Sequence, residues 1–394
     1  MFCDADQYRE EVRSCADEPA QVPYLNKRYV LGGIYSTLAA HAKLILLTNG
    51  ESGRLLVGSG NLNMNGYSSK GEMFCIYEYT HGDEGHLNSF IAVKEYVDAI
   101  QERGLLADYC YGSLQAMWSG VTWLLKSYDD GPRLVRHNLS ETFLEQLSAE
   151  IASDTVEELI AYAPFYDEKA IALQRILGAA QPKKVKVLVQ RNATSVDPLA
   201  LLHVLEEFPC RFTIEECTIG KGNPYLHAKF ILVKTSDRAI CLQGSPNLST
   251  AAMLLSSHHG NLELANLLVG ETDAFDGILD SLDCTEASSS IDELGLAFRG
   301  NGFKSAGRPL GWVLAGGEWN EGALRLNIMG RFEKPTRMLL IINQEEFLID
   351  AKELGNGLYE SPIPKDAIPL LSEGLPSASD ALLAIPSLTQ VLSS

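Results

Sequence analysis

The sequence predicts an α/β protein built from two related halves and followed by a small β-rich region. Three observations lead there. A polar motif occurs twice in register, a strand-helix alternation precedes its second copy, and short apolar runs between Gly, Asn and Pro turns fill the C-terminal part.

The first copy of the motif reads His41-Ala42-Lys43, an apolar run Leu44–Leu47, then Gly58-Ser59-Gly60-Asn61. The second reads His227-Ala228-Lys229, Phe230–Val233, then Gly244-Ser245-Pro246-Asn247. In both, Ser follows His by 18 residues and Asn follows His by 20. A lone His-x-Lys on a strand is ordinarily structural, but four polar identities repeated at one spacing are not a chance match. Two copies are too few for a solenoid. They predict a pair of similar domains related by a pseudo-two-fold. In each copy a polar turn (Thr48–Gly53, Lys234–Asp237) and a second apolar run (Leu55–Val57, Ala239–Leu242) complete a strand hairpin, expected to be buried between helical layers. Strand alternation places His and Lys, two apart, on one face. The hairpin then returns the Gly-Ser turn beside them.

The remaining elements follow in order. Phe2-Cys3 reads as the end of a strand and Gln7–Ser14 as a helix. Only part of an α/β unit fits upstream of His41, so the first half is expected to be abbreviated, or the natural chain to start earlier. Leu87–Lys126 reads as helical, with Trp118 and Trp123 as packing residues. Upstream of the second copy come strand Leu159–Ala163, helix Glu168–Leu177, strand Val185–Gln190, helix Pro198–Phe208 and strand Phe212–Cys217. Cys284–Ser290 reads as a linker. Beyond it, Trp312–Ala315, Ala323–Ile328, Met338–Ile342 and Phe347–Ile349 predict a small antiparallel β domain. The expected division is 1–140 for the first half, 141–284 for the second, and 292–394 for the β-rich accessory domain.

Composition narrows the class. The chain has 394 residues, 46% of them apolar, enough for a sizeable core. No apolar run approaches the ~18–20 residues that cross a bilayer. The acidic N-terminus lacks the basic and apolar regions of a signal peptide. The expectation is a cytoplasmic protein with no membrane partner. None of the eight cysteines forms a CxxC pair, so neither a zinc site nor a disulfide framework is expected. Cys75 and Cys241 read as buried thiols. A formal charge of −19 argues against nucleic-acid binding by the whole surface and leaves room for a narrow, locally positive cleft.

The motif's residue types suit phosphodiester cleavage. A phosphodiester repels nucleophiles, and covalent catalysis splits the problem into two displacements. One imidazole attacks phosphorus while a second protonates the leaving oxygen, then draws a proton from the water that attacks the phosphohistidine. The ammoniums of Lys43 and Lys229 and the amides of Asn61 and Asn247 can hold the phosphoryl oxygens. Ser59 and Ser245 can bond the phosphate or orient an imidazole, and Gly at the turn can let the backbone approach the phosphate. A carboxylate is wanted behind each imidazole. Glu72 and Glu263, each beyond its turn, are the candidates. With lysines supplying the positive charge, no metal or cofactor is called for.

This pattern resembles the phospholipase D superfamily, whose repeat is His-x-Lys, then Gly-Ser-x-Asn and a later Glu. The likeness covers about residues 1–284. The Asp often found seven residues after the His is replaced by Thr48 and Lys234, which is similar to the tyrosyl-DNA phosphodiesterase branch and weakens a lipase reading. The stretches Leu56–Asn63, Arg133–Leu139 and Ala163–Asp167 look most like bacterial HKD-family nucleases. The resemblance implies two α/β halves sharing one cleft, with His41 as nucleophile and His227 as acid. It implies a metal-independent phosphodiesterase, with nucleic acid as substrate. A phospholipase or phosphatidyl transferase and a non-catalytic phosphate-binding module are the alternatives. A place in a larger multi-component system is compatible with the sequence. His258-His259 reads as a solvated loop. Tyr67, Tyr225 and Arg191 can touch substrate, though packing or surface roles are commoner for such residues.

Overall fold

The computed structural model describes residues 1–8, 30–61, 71–107, 109–128, 130–220, 224–286, 291–300, 312–320, 323–330, 337–342, 345–355, 358–369 and 381–384. It is a mixed α/β structure with several sheets. The chain forms two compact units, one of residues 1–35, 100–119 and 306–394, the other of residues 36–99 and 120–305. Among the described residues no helix is long and apolar enough to cross a membrane. Tyr67 and the part of the expected N-terminal helix beyond Tyr8 lie outside the described residues.

In chain order the strands begin with β1 (Phe2–Asp4), β2 (Gly32–Ile34), β3 (Leu44–Thr48), β4 (Ser52–Gly58), β5 (Phe74–Thr80), β6 (Val135–His137) and β7 (Val156–Tyr162). They continue with β8 (Lys184–Val189), β9 (Arg211–Thr218), β10 (Phe230–Thr235), β11 (Ala239–Gly244), β12 (Leu264–Gly270) and β13 (Asp283–Glu286). The helices are α1 (Leu87–Glu102), α2 (Tyr109–Ser119), α3 (Phe143–Ile151), α4 (Ile171–Ala180), α5 (Pro198–Glu206) and α6 (Asp276–Asp280). The C-terminal strands are β14 (Trp312–Asn320), β15 (Ala323–Gly330), β16 (Arg337–Ile342), β17 (Glu345–Asp350), β18 (Lys352–Gly355), β19 (Leu358–Pro362) and β20 (Ala381–Ala384).

The unit of residues 36–99 and 120–305 carries both motif copies. Its main sheet has eight strands in the order β13-β9-β8-β7-β10-β11-β12-β6. Strands β7, β8 and β9 are parallel, joined through α4 and α5, and the rest pair antiparallel. The sequence alternates accordingly. Leu159, Ala161, Ile231 and Val233 face α3, α4 and α5, while Ile160, Tyr162, Phe230 and Leu232 pack on the other face. Helix starts are set by side-chain caps. Asp197 accepts from the N–H groups of Leu199 and Ala200, with Pro198 at the first position. Thr142 and Glu145 form a capping box on α3. The α4 helix starts at Ile171 rather than at Glu168, because the Asp167 carboxylate takes the N–H groups of Ile171 and Ala172.

The two hairpins are not housed alike. The second, β10-β11, is central in the eight-stranded sheet and buried on both faces. The first, β3-β4, extends to β5 in a separate three-stranded antiparallel sheet. Leu47 and Ile76 on that sheet are 59% and 57% exposed. Burial between helical layers, expected for both hairpins, is therefore found only for the second. The supposed linker at Cys284 is in part a strand, since β13 pairs antiparallel with β9. The stretch Leu87–Lys126 breaks into two helices and a short 3-10 turn, Thr122–Leu125, with Gly104 at φ +66° closing the first. Trp123 packs as expected, stacked on Tyr79 with ring centroids 3.9 Å apart.

In the other unit, β1 and β2 form a parallel pair. The C-terminal strands form one sheet in the order β14-β15-β19-β18 and another in the order β17-β16-β20, all antiparallel. Each apolar run read from the sequence lies within one of these strands.

Candidate functional site

The motif residues sit just ahead of their strands. The β3 strand begins at Leu44 and β10 at Phe230, so His41, Lys43, His227 and Lys229 lie in the extended entry to each hairpin, not within it. Each lysine turns back along its own chain. Lys43 Nζ donates to the His41 carbonyl at 2.7 Å, and Lys229 Nζ to the His227 carbonyl at 2.5 Å. Both lysines are almost fully buried.

Each histidine is anchored by the other copy. His41 Nδ1 lies 3.0 Å from both carboxylate oxygens of Glu263, and His227 Nδ1 lies 2.9 and 3.1 Å from those of Glu72. Backbone bonds follow the same exchange. The N–H groups of His41 and Ala42 donate to the carbonyl of Leu262, and those of His227 and Ala228 donate to that of Gly71. Leu262 and Gly71 each precede the glutamate in question. The carboxylate orients the ring, and because Nδ1 faces the carboxylate, Nε2 is the ring nitrogen left to meet another partner.

The Gly-Ser turns secure those carboxylates. Ser59 Oγ donates to Glu72 at 2.5 Å, and Ser245 Oγ donates to Glu263. In return each Oγ accepts at 3.0 Å from the N–H of the residue after the glutamate, Met73 or Leu264. The serines thus orient carboxylates. The glycines are also required by packing. A Cβ at Gly58 would lie 2.1 Å from the Met73 carbonyl oxygen, and one at Gly244, where φ is +152°, would lie 2.6 Å from that of Leu264. Glycine is needed for the neighbouring strand to come this close.

Burial and like charge set the electrostatics. Burial, only partly opposed by Glu263, holds the His41 imidazolium below its ordinary range, and burial does the same for His227 against the pull of Glu72. Burial also brings Lys43 down to about 8. Lys229 is lowered well below its ordinary value, first by burial and then by the charge of Lys43. Burial tends to raise both glutamates. For Glu72 the bonds from His227 and Ser59, and for Glu263 the charge and bond of His41, leave them below the usual carboxylate value. The charges also act across copies: Lys229 on His41, and Lys43 on His227. Two imidazoles, two ammoniums and two carboxylates therefore form one cluster. Compared with known proteins, the chain matches no family model and no curated protein. Among solved structures it is similar to NucT from Helicobacter pylori. The identity is 18%, over 38% of this chain and 95% of that one, with a TM-score of 0.26.

The remaining predicted residues fall as follows. Asn247 is half-buried, and its Oδ1 is buried without a hydrogen-bond partner among the described residues. Asn61 is exposed, two positions beyond the buried Ser59. Arg191 is committed to Glu216 by two parallel bonds of 2.8 and 2.5 Å. His258 and His259 are exposed, in keeping with a solvated loop. Cys241 is buried, Cys75 partly so.

Several supporting residues escaped the sequence reading. Asn261 donates to Glu263 Oε1 at 3.0 Å and accepts from Ala39 N–H, two residues before His41. Asn138, fully buried, accepts from the Glu263 N–H and donates to the carbonyls of Leu255 and Asn261. Asp167 accepts from both the N–H and the hydroxyl of Thr250, while its own N–H donates to the Leu248 carbonyl, which fixes the segment after Asn247. All three lie in or beside stretches marked for other reasons. Their sequence neighbours, such as Glu168 and Lys169 beside Asp167 or His259 and Glu263 around Asn261, are themselves polar, so the local pattern gave little signal.

Proposed function

We propose that the chain is a phosphodiesterase that hydrolyses nucleic acid without a metal ion, in a site formed by His41, Lys43 and Asn61 together with His227, Lys229 and Asn247. The two halves are then related by a pseudo-two-fold. The observation that carries this proposal is the crossed pairing, in which the imidazole of each motif leans on the glutamate that follows the other. Such an exchange makes one constellation from two distant segments and presents two Nε2 atoms. Nucleic acid, rather than phospholipid, as substrate rests on the likeness of the motif and its surroundings to HKD-family nucleases.

In the proposed reaction His41 Nε2 attacks phosphorus, and the bond from phosphorus to the leaving oxygen breaks as the N–P bond forms. The His227 imidazolium gives its Nε2 proton to that oxygen. Neutral His227 then takes a proton from water, whose oxygen bonds to phosphorus as the N–P bond breaks. Glu263 holds the Nδ1 proton of His41 while the ring carries the phosphoryl group, and Glu72 does the same for His227 as it charges. Lys43 and Lys229 offset the phosphoryl oxygens. The orphaned amide end of Asn247 supplies a donor to the same oxygens when its NH2 occupies that position. Labelled single- and double-stranded DNA, RNA and a short-chain phospholipid, each incubated with the protein in EDTA, test the reading. Cleavage of a nucleic acid is expected. Hydrolysis of the lipid alone, or activity that EDTA abolishes, would overturn it.

A further inference from the structure

Next to His227 stands an aromatic ring with no part in the chemistry above. Tyr225 is 44% exposed, and its ring centroid lies 5.8 Å from that of His227, with the planes tilted by 35°. Exposed tyrosines are common, but this one is clamped. Buried Gln190 donates to the carbonyl of Pro224 at 2.9 Å and accepts from the N–H of Leu226 at 2.9 Å, gripping the chain on both sides of Tyr225. The hydroxyl of Tyr162 donates to the Leu226 carbonyl at 2.7 Å. The Tyr225 carbonyl itself packs so closely on Gly71 that a Cβ there would approach it to 2.0 Å. A side chain with few rotatable bonds, on a backbone fixed by four contacts, keeps its open face at low entropic cost. The positive charge of Arg299 acts on the Tyr225 phenol, and the guanidinium donates to the carbonyl of Asn192. The ion pairs found among the described residues do not include Arg299. In the first motif copy the position two before the histidine is Ala39, which offers no ring.

We propose that Tyr225 is a stacking platform for the base on the His227 side of the scissile phosphate, and that the substrate is therefore a single-stranded nucleic acid. This rests on the function proposed above for the place of the phosphate. A phosphodiester at His227 puts the attached nucleoside within reach of the ring. A base inside a duplex is already stacked and paired, so an unpaired strand can use the platform at less cost. Arg299 is placed to take the next phosphate. The single ring, absent at Ala39, gives the site a polarity: one flank reads a base and the other reads backbone.

The test is binding in EDTA by fluorescence anisotropy, with His41→Ala as the non-cleaving background. The probes are a labelled single-stranded DNA oligonucleotide, the same strand with abasic sites throughout, and its duplex. Adding Tyr225→Ala is expected to weaken the base-bearing strand about 5- to 150-fold, the loss of one stacked base, and to erase the difference between base-bearing and abasic strands. Tyr225→Phe should keep the preference. Tyr225→Leu, which keeps an apolar but non-aromatic side chain, should lose it, and a melting point near that of the background protein separates stacking from folding. Equal binding of base-bearing and abasic strands by the background protein, equal weakening of both by Tyr225→Ala, preference for the duplex, or no binding at all would overturn the proposal. Hydrolysis of methyl p-nitrophenyl phosphate by the protein with native His41 reports the phosphodiesterase reading separately, because that diester carries no base.

Discussion

Lys43 is a buried cation held at a cost, and Lys43→Met exposes that cost. Burial brings its ammonium from 10.5 to about 8. At about 1.4 kcal/mol per pH unit, that interval makes the charged native form about 3 kcal/mol worse off at pH 7 than the same group in the unfolded chain. Methionine of similar length removes the charge but also the 2.7 Å bond to the His41 carbonyl, a loss of about 1 kcal/mol. The expected net gain is about 2 kcal/mol at pH 7, read as a higher urea midpoint and a melting point raised by about 4–8 °C. The pH dependence has a definite sign. Between about pH 8 and 10.5 the unfolded chain keeps this proton and the native protein releases it, so wild-type stability from this group rises with pH over that window. In Lys43→Met that rise is missing, and the gap between the two proteins closes by about pH 10. Urea unfolding at pH 7 and at pH 9.5 measures both effects, with loss of phosphodiesterase activity expected in the same variant. A variant less stable than wild type at pH 7, or one with an unchanged pH slope, would refute the assignment of Lys43 as a buried charge kept for its chemistry.

Two further outcomes follow from the geometry. Glu263→Gln should lower the ionisation range of His41 further and leave His227 less affected, while Glu72→Gln should do the reverse, by histidine NMR titration. Each should cut turnover on the order of 10- to 100-fold. A larger effect of Glu72→Gln on His41 than on His227 would break the crossed arrangement. Because burial holds both imidazoles below their ordinary range, kcat/KM should peak below about pH 6.5, where one ring can be neutral and the other protonated. A further fall is expected above about pH 8, as Lys43 discharges. A profile flat to pH 9 would contradict both.

The second motif's surroundings were legible because their signals are local. The alternation from Leu159 to Cys217 appears as β7, α4, β8, α5 and β9, with ends moved by a few residues where a cap such as Asp167 decides the start. The unequal housing of the hairpins was not legible. The runs Leu44–Leu47 and Phe230–Val233 are equally apolar, yet only the second has strands on both sides in a large sheet. Sheet partners come from distant segments, and that also hid β13 inside an apparent linker. At the site, residue types and spacing pointed to His41, Lys43, Glu72 and their counterparts. Spacing named the two carboxylates but not which histidine each one serves. The exchange arises from backbone bonds at Gly71 and Leu262, which carry no side-chain signature. The close packing at the motif glycines was not read from the sequence, since the strand beyond each glutamate comes from a separate segment.

The most direct test of the central claim is turnover in EDTA of an oligonucleotide carrying radiolabel at the scissile phosphate, quenched with SDS at alkaline pH. A label trapped on the protein as an acid-labile, base-stable phosphoramidate is expected. It should be lost in His41→Ala and should accumulate in His227→Gln when the leaving group needs no proton. Label on an oxygen nucleophile, or turnover of His41→Ala at the wild-type rate, would contradict a two-histidine mechanism.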